Sequence, residues 1–211
     1  MMMLDIIVKP YKEFRMKVSK EVAAQNRRRI LETATELFKT RGFEHVSVAD
    51  LTKAAGFTHG GFYNHFESKA DLVIGTIRHA FDQALSEISR EGAAAEEYPV
   101  LATERLASYL SPQHRDETSG GCPTGSLPVD VGRQAAGAQR AFADGLERYI
   151  EFVQSALPSE LAHKREAAIG ALSTLVGGII LSRAVRDGDP DLSDEILLAA
   201  DATCRGRHPT P

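Results

Sequence analysis

The stretch from Ser47 to Phe66, SVADLTKAAGFTHGGFYNHF, constrains this chain more than any other. It reads as two short helices joined by a three-residue turn. SVAD is a capping-box pattern with Asp in place of Glu, so Ser47 can accept from the first-turn amides. That helix ends near Ala55, and Gly56-Phe57-Thr58 turns the chain. Thr58 then caps a helix over roughly 59–66. Two short helices around a Gly-containing turn form a helix-turn-helix. Gly60 and Gly61 each cost ~1 kcal/mol relative to alanine inside a helix, so stability alone does not select them. Phe62 and Phe66, four apart, point into a small core with Leu37, Phe38, Val48 and Leu51. Gly60, Gly61, Tyr63, Asn64 and His65 are left facing outward. A slim or polar face suits a helix that enters the major groove, and a helix start offers free amides to phosphate.

Helix signals continue on both sides, and strand signals are nearly absent. A first helix runs from about Ser19 to Arg41, with Ile30, Leu31, Ala34, Leu37 and Phe38 on one face and Gly42 as its stop. Ser68 opens a fourth with SKAD, a second capping pattern, and this helix continues to about Arg90. EYPVLATERLASYL, residues 97–110, reads as helix. The next twenty residues hold three prolines and three glycines and read as a long loop with room for one helical turn. Three further helices follow, over about 131–157, 159–185 and 189–204, with Pro158 breaking the first from the second.

The balance of charge is uneven. Residues 1–90 carry 14 Lys+Arg and 11 Asp+Glu, whereas residues 91–211 carry 11 and 18. The front half therefore suits an anionic partner, a weak signal by itself. Two cysteines 82 positions apart make no disulfide framework, so a reducing cytoplasm is the expected compartment. The N-terminus lacks the pattern of a signal peptide. Residues 1–18 are expected to be a flexible leader, and Met16 offers a second start. The longest uncharged run, Ala167 to Ser182, falls short of the ~20 residues that span a bilayer and holds three glycines, so it reads as a buried helix. Histidines and cysteines show no zinc spacing, and no nucleophile–base pair or phosphate loop is present. No catalytic residue, metal or cofactor is therefore expected.

The residues from Val46 to Leu72, VSVADLTKAAGFTHGGFYNHFESKADL, resemble the DNA-binding domain of tetracycline-repressor-type (TetR/AcrR) transcriptional regulators. The preceding RRRILETATELFKTRGF resembles that family's first helix. The close likeness covers about residues 25–75. Gly61 is a departure in degree, because a side chain that could read a base is missing there. The resemblance implies an all-α chain. An N-terminal three-helix helix-turn-helix domain, residues 19–70, would precede a larger helical effector-binding and dimerisation domain, 71–211. It implies operator DNA, a second copy of the chain and a small-molecule effector as partners, and no enzyme activity. By position, Thr58, His59, Gly60, Gly61 and Asn64 would face the groove, and Tyr63, His65 and Lys69 would meet phosphate. Ser47 would touch the DNA backbone, and Arg27, Arg28 and Arg29 could reach it from the first helix. His59 and Asn64 both donate and accept, which suits base reading. Alternatives stay open. Ser47 and Ser68 are at least caps, the three arginines could be a solvated face, and the chain could be a helical ligand-binding or interaction protein without sequence-specific DNA binding.

The same resemblance implies a dimer interface from the last two long helices. Ala167, Gly170, Ala171, Thr174 and Gly178 form a small-residue stripe there, with Val176, Ile179, Ile180, Leu181, Leu197 and Leu198 adding apolar area. An internal core helix would use the same residues. An effector cavity is expected among about 81–155, lined by Phe81, Leu85, Leu106, Tyr109, Cys122, Phe142, Tyr149 and Phe152, and suited to a mostly hydrophobic molecule. Each is also an ordinary core residue by type. Cys122, in GGCPTGSL, could be a sensor thiol. A small buried thiol is the plainer reading, and no fixed positive partner is visible in the sequence.

Overall fold

The computed structural model describes residues 20–91 and 108–205, all helices and turns with no strand among them. The expected leader, 1–18, and most of the helix expected at 97–110, with Leu106, lie outside the described residues. Helix α1 spans Lys20–Arg41 and buries Ile30, Ala34 and Phe38 at four-residue intervals. Its Glu21 and its Lys39 and Arg41 complement the two ends of the helix dipole. Helix α2 spans Val48–Ala55. Ser47 forms the full reciprocal capping box with Asp50, and Gly56, at φ 73°, ends the helix in the left-handed region.

Helix α3 spans only His59–Tyr63, not 59–66. The Thr58 hydroxyl accepts from the Gly61 amide at 3.1 Å, as a cap should. Beyond Tyr63 the chain tightens. Both the His65 and Phe66 amides donate to the Phe62 carbonyl, and the Arg27 guanidinium takes the His65 carbonyl. Helix α4, Lys69–Glu91, starts from the Ser68 hydroxyl, which accepts from the Asp71 amide at 3.1 Å.

The segment read as one long loop holds three short helices: α5, Pro112–Asp116, α6, Pro123–Ser126, and α7, Pro128–Val131. Each begins at a proline. Proline's fixed φ and missing N–H suit the first helical position, so the residues read as breakers act as starters. Helix α8 spans Ala136–Ala156, five residues shorter at its start than expected. The Gln139 side chain donates to the Gln134 carbonyl at 2.9 Å, holding the turn that separates α7 from α8. Helix α9 spans Lys164–Val185 and starts late because His163 sits at φ 57°, a conformation no right-handed helix contains. Helix α10 spans Pro190–Cys204.

Phe62 and Phe66 stack at 5.6 Å under α3, and Phe38 meets Phe43 edge to face at 5.0 Å. Leu51 is buried with them, and Leu37 and Val48 pack at the edge, the core expected for the two phenylalanines. This core does not stop at the end of the helix-turn-helix. It continues through Leu72, Val73 and Ile77 of α4 to Phe81, Tyr149 and Val153. Helix α4 can lie close to α8 because Gly145 has no side chain, and a Cβ there would sit 2.2 Å from the Phe81 ring. A smaller cluster of Leu110, Leu175, Ile179 and Leu197 joins α9 to α10. By length and composition α9 is apolar enough to cross a bilayer, and here it packs between α8 and α10.

Candidate functional site

The helix-turn-helix presents one continuous outward surface. His59, Gly60, Tyr63 and Asn64 are exposed, Tyr63 at 52%, while Phe62 beneath them is fully buried. The His59 and Tyr63 rings meet edge to face at 5.2 Å, so each helps fix the other's direction. The Ser47 hydroxyl donates to Asp50 Oδ2 at 2.6 Å, so its proton is already used. That bond holds the Asp50 carboxyl below the usual range. Lys69 makes no ion pair among the described residues and stands in the first turn of a helix, where the dipole disfavours a cation. A Cβ on Gly60 would meet nothing within 4 Å, so no internal contact requires glycine there.

The three arginines separate. Arg27 turns inward, donating to the His65 carbonyl with its guanidinium 4.1 Å from the Phe66 ring centroid. It ties α1 to the end of α3 and is spent inside the domain, not on its outer face. Arg29 lies over Phe57 at 5.6 Å. Arg28 projects outward, paired with Glu32 at 2.8 Å. His65 is half-buried. Burial first, and the Arg27 charge second, lower its pKa, so the ring is neutral near pH 7 and offers a donor without a charge.

A second site opens between α4, α8, α9 and segment 108–125, a cavity of ≈ 310 Å³. Of the residues named from the sequence, Tyr109, Cys122, Tyr149 and Phe152 line it. Phe81, Leu85 and Phe142 do not. Phe81 is fully buried against Phe142 and Tyr149, at 5.2 and 5.5 Å, and Leu85 packs at the core's edge. Helical spacing could not tell these core positions from lining ones. The wall is also more polar than expected, with Glu87, Gln113, His114, Glu117 and Thr124. All but Glu87 of α4 sit on or beside the short helices, which the sequence showed only as loop.

The Cys122 thiol lies 2.9 Å from Thr124 Oγ1, which is 3.3 Å from the Tyr109 hydroxyl. Burial pushes the Tyr109 and Tyr149 hydroxyls well above the usual phenol range. The His114 ring bonds the Tyr109 carbonyl at 2.7 Å and accepts from the Cys122 amide at 3.4 Å, which places its proton on Nδ1. Two cations that sequence spacing could not connect stand behind this wall. Arg183 of α9 donates to the carbonyls of His114, Arg115 and Gly125 at 2.7–2.8 Å. Lys39 of α1, 9% exposed, donates to the Gly121 carbonyl at 2.7 Å. Burial lowers the Lys39 pKa, partly offset by the nearby Cys122 and Glu87.

Residues 30–75 match the model of the bacterial regulatory proteins of the tetR family. The chain is similar to the uncharacterized regulator YfiR of Bacillus subtilis, 33% identical over 94 residues, 44% of this chain and 43% of that one. It is 30% identical over 105 residues to the transcriptional repressor DhaR of a Mycobacterium species, 50% of this chain and 52% of that one. The chain thus spans about half the length of these two relatives. A TetR-family regulator of Agrobacterium tumefaciens shares its fold, with a TM-score of 0.68 at 17% identity over 86% of this chain and 98% of that one. A helix-turn-helix with an apolar underside and a free outer face, carried on an all-helical body, is the architecture these proteins share with the chain. The chain resembles transcriptional regulators of the TetR/AcrR type in its helix-turn-helix, residues 30–75, and in its all-helical fold.

Proposed function

We propose that the chain is a cytoplasmic homodimeric repressor that holds a palindromic operator and releases it when a small molecule fills the cavity. The observation that carries this reading is the outer face of α3: Tyr63, His59 and Asn64 stand free above the fully buried Phe62. Thr58, His59, Gly60, Gly61 and Asn64 approach the groove. Tyr63 and Lys69, with Arg28 and the neutral His65, hold phosphates. Ser47 acts first as a cap.

Dimerisation through α9 and α10 is supported by what their outer faces leave uncovered. Leu181 is 58% and Leu198 71% exposed, and a Cβ at Gly170 or Gly177 would meet nothing within 4 Å. The small-residue stripe divides. Gly178 packs inside the protomer against Ala200 and Leu110, whereas Gly170 faces out. Two copies joined there would carry α3 to successive major grooves, about 34–36 Å apart. Helix α4 begins at Lys69 and lines the cavity with Ala84 and Glu87, so a ligand that tilts it changes that spacing. A coupling of about 1–3 kcal/mol changes DNA affinity roughly 5–150-fold.

The test is fluorescence anisotropy on duplexes that the protein selects from a random pool, over a salt series, with the mass in solution measured alongside. A dimer that prefers selected over random duplex is expected. No preference at any salt overturns the reading in favour of a helical ligand-binding protein without specific DNA recognition.

A further inference from the structure

The polar wall of the cavity is clamped from two sides. Arg183 holds it to α9 through three carbonyls, and Lys39 holds it to α1 through Gly121. Gly121 lines the cavity, and Lys39 lies two residues before the end of α1, the helix on which α2 packs. One buried hydrogen bond therefore joins the cavity wall to the DNA-binding helices across 82 residues. A second link lies nearby, where the Phe43 amide, just beyond α1, donates to Asp130 Oδ2 at 3.2 Å.

The wall has little slack at this point. A Cβ on Gly121 would lie 2.7 Å from the Glu117 carbonyl oxygen and 3.4 Å from the Arg183 guanidinium. A group pressing on Gly121 from the cavity must move it towards or away from Lys39. A buried ammonium left without its acceptor is strongly unfavourable, so Lys39 follows the wall, and the end of α1 moves with it. We propose that Lys39 is a positioning residue that relays occupancy of the cavity to the helix-turn-helix through α1, in addition to any tilt of α4. This rests on the reading of the cavity as the effector site.

The experiment loads the cavity with a defined group. In a Cys204→Ser chain Cys122 is the one thiol. The aromatic disulfide 5,5′-dithiobis(2-nitrobenzoate) is the probe. The Cys122 thiolate attacks it, the reagent's S–S bond breaks, a mixed disulfide forms, and the thiol proton passes to water. The released nitrothiobenzoate thiolate measures loading. Affinity for selected duplex is read before and after, with Lys39 present and in Lys39→Met, whose apolar stem keeps the packing. Loading should weaken DNA binding about tenfold or more with Lys39. In Lys39→Met, equal thiolate release should change it less than about twofold, and the two unloaded chains should bind alike.

Two reagent-free pushes run in both backgrounds: Gly121→Ala, which inserts the crowded methyl, and Val153→Trp, which fills the cavity from α8. They decide the case if Cys122 is not loaded. Equal weakening with and without Lys39 overturns the relay and leaves the cavity reading intact. Gly121→Ala weakening binding only with Lys39, while loading and Val153→Trp do nothing, keeps the relay and overturns the cavity as effector site. No effect of any push in the Lys39 chain overturns both.

Discussion

The outer face of α3 and the wall of the cavity are both polar surfaces over an apolar core, but they are built in opposite ways. At α3 the caps that shape the surface are local, and one longer bond, from Arg27 to the His65 carbonyl, closes its end. Thr58 caps Gly61 three residues on, Ser47 and Asp50 cap each other, and the side chains that would meet DNA are left uncommitted. At the cavity the polar groups are committed to one another across the chain. Arg183 reaches back nearly 70 residues and Lys39 forward 82. A surface that docks on a rigid partner needs free donors on a stiff base. A wall that must report what it touches needs bonds that change when it moves.

The sharpest way to break this comparison is to remove its shared foundation. Phe62→Ala empties a fully buried site in a core that runs from α1 to α8. It should cost about 3–5 kcal/mol. Because the core is continuous, urea melts followed by circular dichroism should show one transition displaced as a whole. Two separated transitions would mean that the helix-turn-helix folds independently of the body.

Next in size are the contacts of the free surface itself. Lys69→Ala should weaken binding to all duplexes alike and lower the salt slope by about one unit per site. His59→Ala or Asn64→Ala should instead relax preference at particular bases, by about 1–3 kcal/mol each. If Lys69→Ala altered sequence preference and left affinity unchanged, the division between positioning and reading residues would be wrong.

Gly60→Ala sharpens the contrast by setting stability against function. Its added methyl meets nothing inside the protein. The substitution should raise stability by about 0.5–1 kcal/mol while weakening DNA binding. A variant that gains stability and binds as well as the parent would show that nothing approaches this backbone.

The smallest effect is the pH response of His65. Burial and Arg27 lower its pKa in the folded protein, so the unfolded chain binds its proton more readily. The stability this contributes is present above the ordinary histidine pKa. It is lost as pH falls from there through the lowered folded value. His65→Asn should flatten the acid side of a stability-against-pH curve from thermal melts, and an unchanged curve would remove the role given to burial.

The four N-terminal helices and their caps were legible because short-range rules govern them: Ser47 with Asp50, Thr58 with Gly61, Gly56 in the left-handed region. Helical spacing likewise placed Phe62 and Phe66 inward. Where a bond from far along the chain intervened, the reading failed. Arg27 takes the His65 carbonyl and α3 ends early, and the segment read as a loop holds three short helices opened by prolines 112, 123 and 128, with Arg183 and Lys39 tying it to α9 and α1. The aromatic residues named for the cavity included Tyr109, Tyr149 and Phe152, which line it, but could not be separated from Phe81 and Phe142, which differ in what packs across from them. The sequence alone determined an all-helical chain with a helix-turn-helix and a bare outer face, because caps, turns and periodicity act within a few residues. Only the tertiary structure decided that one core underlies both halves and that Lys39 joins the cavity wall to the first helix of the helix-turn-helix domain. Burying an ammonium against a carbonyl 82 residues away leaves no periodic trace in the order of amino acids.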